Sequence, residues 1–276
     1  MKTLIAKTWI AKTWIAKTWI AKIWIAKTRI ALLCTIFLCT ATAYAEPAAE
    51  HCAVPSYLLF GDAPLERVAA ATTKEKKLKV AVIGTTSSTL PGPDGVASAY
   101  PARLEGALKR RLPMVDTTLV VQTKPRQSAA EMAETIEKLL DEKPNLVVWQ
   151  TGTFDALRGL DTEEFRSSIA DGVETLQNGG ADVILVNMQY SPRTESMIAV
   201  GPYADAMRWV AREREVPLFD RLAIMRHWND TGMFDLYAAT KDVGLAKRVH
   251  DCVGRAIAAL IIDGAHLEAL EGKPAQ

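Results

Sequence analysis

Lys79-Val-Ala-Val-Ile-Gly-Thr-Thr-Ser-Ser-Thr89 is an apolar run that ends in a glycine and a cluster of hydroxyls. A run of this length without polar alternation reads as a strand buried on both faces, and such strands belong to parallel sheets covered by helices. A hydroxyl at the carboxyl end of the first strand stands where α/β sheets take their ligands. Far downstream lies His250, a residue type able to activate such a hydroxyl, expected just ahead of the C-terminal helix.

The pattern continues outward from that run as strands alternating with helices. Upstream, a short helix is expected over Pro64 to Ala71, ahead of the charged run Lys74-Glu-Lys-Lys77. Further strands are expected over Thr117 to Thr123, Asn145 to Gly152, Ala181 to Gln189 and Val216 to Phe219. Helices are expected over Tyr100 to Leu112, from the capping box Ser128-Ala-Ala-Glu131, over Asp161 to Leu176 and over Pro202 to Arg214. The last helix runs from about Val243 or Val249 to Ile262. This order predicts a three-layer α/β/α sandwich around a parallel sheet of about five strands, flavodoxin-like in plan. Ligands are then expected near Thr85 to Thr89, Gln122 to Gln127, Thr151 to Asp155 and Gln189 to Arg193.

The first 45 residues read differently. Residues 3 to 28 repeat a pentamer of the Ile-Ala-Lys-Thr-Trp type, followed by Arg29, an apolar run from Ile30 to Ala43, and Ala43-Tyr-Ala45. A basic start, a short apolar stretch and an A-x-A site together predict a secretory signal peptide cleaved after Ala45. The apolar run is short for a membrane span, so no stable span is expected after cleavage. An uncleaved amphipathic anchor is the alternative. The chain has 33 Lys and Arg and 32 Asp and Glu, and the leader holds seven of the basic residues and none of the acidic ones. That leaves 26 basic against 32 acidic residues, a net charge of −6. Such a balance, without a basic stripe, argues against a nucleic-acid partner.

Cys34 and Cys39 leave with the signal, so Cys52 and Cys252 are expected to pair as a disulfide in an oxidising, periplasmic or extracellular compartment. The alternatives are two buried thiols, or a metal site with His51 and His250. The expected organisation is a signal peptide over 1–45, a lead-in over 46–77 tied to the C-terminal helix, the α/β domain over 78–265 and a tail over 266–276. No HExxH, P-loop or G-x-G-x-x-G occurs, so zinc-protease and nucleotide readings lack support. Neither cofactor nor metal is expected.

Over roughly residues 78 to 262 the chain resembles the SGNH/GDSL hydrolase family. The matching pieces are Val80 to Thr89, Tyr100-Pro-Ala-Arg-Leu104, Trp149-Gln-Thr-Gly-Thr-Phe-Asp155 and Val249-His250. The resemblance implies a serine nucleophile after the first strand, and oxyanion donors after the second and third. It also implies a late Asp-x-x-His. Reading back from Thr89 puts Ser87 in the nucleophile's place, and reading forward from Gly84 puts Thr86 there. Ser88 is the third contender. Gly152, Thr153, Asp155 and Gln189 are expected to line the site or hold an oxyanion.

Three departures from the family pattern stand out. Phe154 occupies the place of the oxyanion Asn, so nearby amides such as Gln150, Gln189 or Gln127 would have to substitute. The segment Gln122-Thr-Lys-Pro-Arg126 lacks the expected Gly; Lys124 or Arg126 there could bind an anionic oxygen, or simply be solvated. Lys247 stands where the family has Asp, leaving Asp251, Asp242 or Asp155 as partners for His250. The resemblance thus implies an ester hydrolase acting on a small-molecule or glycan ester through Ser87 and His250. The competing expectation is a binding or accessory protein that keeps the fold without turnover.

Overall fold

The computed structural model describes residues 52–60, 63–237 and 242–272; the expected signal peptide and His51 lie outside them. Five parallel strands form the sheet: β2 (Lys77–Gly84), β3 (Asp116–Thr123), β4 (Leu146–Gln150), β5 (Asp182–Val186) and β6 (Leu218–Phe219). A sixth, two-residue strand, β1 (Leu59–Phe60), pairs antiparallel with β6 and was not expected from sequence. Two residues are too few to show a period, which is why the pattern could not reveal it. The order across the sheet is β1-β6-β5-β4-β2-β3.

Val80, Val82, Leu146 and Val148 are fully buried, as interior strands covered on both faces must be. The edge strand β3 is more exposed. Helices cover both faces: α1 (Glu66–Ala70), α2 (Gly95–Ser98), α3 (Tyr100–Arg111), α4 (Ala129–Ala133), α5 (Ile136–Leu140), α6 (Thr153–Arg158), α7 (Thr162–Asn178), α8 (Pro192–Met197), α9 (Gly201–Glu213), α10 (Arg221–Asp230) and α11 (Val243–Gly264). The capping box at Ser128 forms, with Ser128 accepting from the Glu131 N–H at 3.2 Å. Strands β4 and β5 end earlier than their apolar patterns suggest, because the chain leaves them after Gln150 and Val186 for the loops that build the cleft.

Cys52 and Cys252 form a disulfide across 200 residues, tying the segment before β1 to α11. Closing so long a loop stabilises by about 5 kcal/mol at most in the loop-entropy account. Helices α3 and α11 cross at Gly254. A β-carbon there would lie 2.7 Å from both Arg103 Cβ and the Leu104 backbone nitrogen, so only glycine permits the approach. Gly254→Val is expected to destabilise by about 1–3 kcal/mol or more through overpacking. A calorimetric melting temperature equal to the parent's would show instead that the crossing is loose.

Candidate active site

Strand β2 is flanked by β3 on one side and β4 on the other, so the chain reverses its winding direction there. Ligands of open α/β sheets bind at that reversal, beyond the carboxyl ends of the strands. Leaving β2, the chain makes a 3-10 turn, Thr86–Ser88, and leaving β4 it enters α6 through Gly152. Gly152 takes a left-handed backbone (φ 97°), and a side chain there would strike Met188 and Phe165. A cleft of about 720 Å³ opens above these turns. Thr85, Thr86 and Ser87 line it from β2, Thr153 and Phe154 from α6, Gln189 from the loop after β5, and Val249 and His250 from α11.

The three hydroxyls of the turn have different surroundings. Ser88 is 1% exposed, donates to Gln150 Oε1 and lies 3.3 Å from the Tyr100 hydroxyl; it does not line the cleft. Gly84 makes this packing possible, because a β-carbon at residue 84 would fall on Ser88 Oγ. Ser87 faces the cleft and accepts from Gln150 Nε2 at 2.6 Å, with Thr85 Oγ1 at 3.5 Å. One buried amide at the end of β4 therefore holds both serines. Thr86 is exposed at the cleft edge.

His250 is not ahead of the last helix but within it, because the helix begins at Val243 with Asp242 as its cap. Its Nδ1 accepts from the Tyr100 backbone N–H at 3.0 Å. The neutral ring therefore carries its proton on Nε2, since Nδ1 already accepts. Burial, and next the nearby Arg221 cation, push the imidazole down to about 3. In the Ser-His-Asp template the arrangement is the reverse: Nδ1–H donates to a carboxylate and Nε2 accepts from serine.

Asp251, expected as a partner for His250, faces Arg255 one turn on, Oδ2 to Nε at 3.0 Å. Asp242 accepts from the Leu245 N–H as the helix cap. Asp155 accepts from the Ala129 N–H in the first turn of α4 at 2.9 Å, and burial raises its pKa. Lys247 lies 4.0 Å from Asp94. Among the described residues, none of the three candidate carboxylates makes a hydrogen bond or ion pair with the imidazole.

Sequence reasoning missed Arg221. Asp220 caps α10, accepts from the Asn187 amide at 2.7 Å and pairs with Arg208, and so fixes the start of the helix. Arg221 follows it, fully buried at the cleft floor, donating to the Ser87 carbonyl at 3.0 Å and more weakly to Gln189 Oε1 at 3.4 Å. Its guanidinium lies over the Tyr100 ring at 5.5 Å, and burial pushes it down to about 10. The available signal was Asp220-Arg221 directly after the apolar strand Val216 to Phe219, where a cap and a cation arrive together at a strand end. Thr153 Oγ1 is buried without a hydrogen-bond partner among the described residues, next to Phe154.

The sheet order, the hydroxyl turn at the reversal and the cleft above it define a three-layer α/β protein with a candidate ligand site at the carboxyl ends of β2 and β4. The chain belongs to the Non-GDSL lipase-like family, whose profile matches residues 51–267. Among solved structures it is similar in fold to TesA, at 21% identity and a TM-score of 0.52, covering 66% of this chain and 99% of that one. A catalytic mutant of Axe2, an acetylxylan esterase from Geobacillus stearothermophilus, is similar at 17% identity and a TM-score of 0.54, covering 71% and 97%. LAE5, an alpha/beta hydrolase enzyme from the metagenome of Lake Arreo, Spain, is similar at 19% and 0.52, covering 69% and 96%. No curated protein matches the sequence at a significant level.

Proposed function

We propose that the protein is an exported serine ester hydrolase of the SGNH type, acting on O-acyl groups of glycans or lipids with Ser87 as nucleophile. The observation that carries this reading is the Ser87 hydroxyl at the cleft, held as an acceptor by Gln150 Nε2 so that its own proton points elsewhere. Ser87 Oγ attacks the ester carbonyl and its proton passes to His250. The tetrahedral oxyanion is met by the unpartnered Thr153 hydroxyl and backbone N–H groups of the turn. Collapse expels the alcohol, which takes the proton back. Water then releases the acid from the acyl-serine.

For His250 to accept that proton, its ring must leave the Tyr100 N–H, at a cost of about 1–3 kcal/mol for the abandoned buried donor. Turnover is therefore expected to be slow. The same contact favours the second reading, a cleft that binds esters without cleaving them. Export is supported by the basic, apolar and A-x-A leader and by the disulfide. No helix among the described residues is long and apolar enough to cross a membrane.

Fluorophosphonate labelling with peptide mapping separates the readings. An adduct on Ser87, absent after denaturation and in Ser87→Ala, is the expected result. An adduct on Thr86 keeps the hydrolase and moves the nucleophile. A folded, disulfide-bonded protein that takes no label is a binder.

A further inference from the structure

Among the described residues, the cleft beside Ser87 is lined by two guanidinium groups and no carboxylate: Arg221 at its floor and Arg126 at its rim. A buried guanidinium ordinarily faces a carboxylate, because its lost hydration otherwise goes uncompensated. Among the described residues Arg221 instead meets neutral groups, namely the Ser87 carbonyl, the Gln189 amide and the Tyr100 ring, and its Nε has no hydrogen-bond partner there. The adjacent Asp220 is taken up by Arg208, Asn187 and the Ala223 N–H. The site thus holds a buried positive charge without a counter-charge among the described residues.

Arg126 adds a second observation. It sits in the loop after β3 with a left-handed backbone (φ 60°), a conformation that costs a residue with a β-carbon roughly 1–2 kcal/mol. Glycine would adopt it without strain. The chain keeps arginine there, its side chain at the cleft and in no ion pair among the described residues. Leu90, Leu157, Met225 and Leu236 supply an apolar wall beside these cations.

We propose that the cleft selects anionic esters, substrates in which a carboxylate or phosphate accompanies an apolar chain. The anion lies against Arg126 in the field of Arg221, and the chain lies along the leucine and methionine wall. This rests on the ester-hydrolase reading for turnover but not for binding, and the test keeps the two apart.

Two 4-nitrophenyl esters of similar size, the hemisuccinate and the pentanoate, separate charge from shape. The expected result is a higher kcat/KM for the hemisuccinate, with the ratio of the two falling about fivefold in Arg126→Gly, as for one solvent-accessible ion pair. The preference should also shrink as salt is raised. Glycine suits the left-handed backbone, so this variant is expected to fold. A ratio at or below one, or a ratio unchanged in Arg126→Gly, overturns the proposal. Calorimetry of octyl phosphate against octanol, on the full-length chain carrying Ser87→Ala, reads binding without chemistry. Tighter binding of the phosphate, weakened by Arg126→Gly, supports the anionic site even if neither ester is cleaved, in which case only the hydrolase reading fails. Equal affinity for the two compounds sinks the anionic site whatever the turnover.

Discussion

Gln150→Leu is expected to cut ester turnover by about 10²-fold, the scale of losing one hydrogen-bond donor at a reacting oxygen. Gln150 is fully buried at the end of β4 and serves both serines, donating to Ser87 Oγ and accepting from Ser88. Leucine is close in volume, so the loss is chemical more than steric. Ser88 keeps only the Tyr100 hydroxyl at 3.3 Å, and Ser87 loses the donor that would hold its alkoxide. Leaving those groups short of partners should also destabilise by about 1–3 kcal/mol. Steady-state kinetics beside a thermal melt checks both parts. Full turnover in a folded Gln150→Leu protein would remove Gln150 from the account of the nucleophile.

The second large effect is on stability against acid. His250 titrates near 3 in the native state, against 6.5 for an ordinary imidazole. Between those values the unfolded chain binds a proton that the native chain does not. The contribution is therefore fully present above pH 6.5 and is lost as pH falls towards 3, at up to about 1.4 kcal/mol per unit. The charged group facing the ring is Arg221 on α10, and Tyr100 on α3 occupies Nδ1. Asp182 works in the opposite sense: burial raises it to about 6, so it favours the native state as the pH drops from 6 to 3.8.

Comparing the parent with His250→Gln removes that background, since Asp182 is common to both proteins. The glutamine oxygen can still accept from Tyr100. Denaturant melts of the two proteins should diverge below pH 6.5, with the variant losing less stability. Parallel curves would mean that His250 is not buried as a neutral ring. In the hydrolase reading the same low value moves the acid limb of the rate profile well below pH 6.5, because the base stays unprotonated down to about pH 3.

Much of the fold was legible because its signals are local. Short, β-branched apolar runs such as Val80 to Ile83, and Leu146 to Trp149 in the third expected strand, read as buried strands. Ser128 with Glu131 marks a helix start by a bond between neighbours in sequence. The carboxyl ends of those strands then located the cleft. Ser87 and His250 follow from the family resemblance and from their order along the chain, and both line that cleft. The edge strand β1 was not legible, having only two residues and a register set by β6.

The chemistry of the site was decided in three dimensions. Residue type alone names His250 as a base. Its tautomer depends on the Tyr100 N–H, which is 150 residues away in sequence and is brought close where α3 and α11 pack at Gly254. Arg221 is an ordinary cation in the sequence until α10, anchored by Asn187 and Asp220, places it under the Ser87 carbonyl. Periodicity and caps are properties of adjacent residues, so the layers, the order of elements and the place of the cleft could be read along the chain. Protonation and charge balance depend on which distant groups share a desolvated space, and those groups meet only when the helices and sheet have packed.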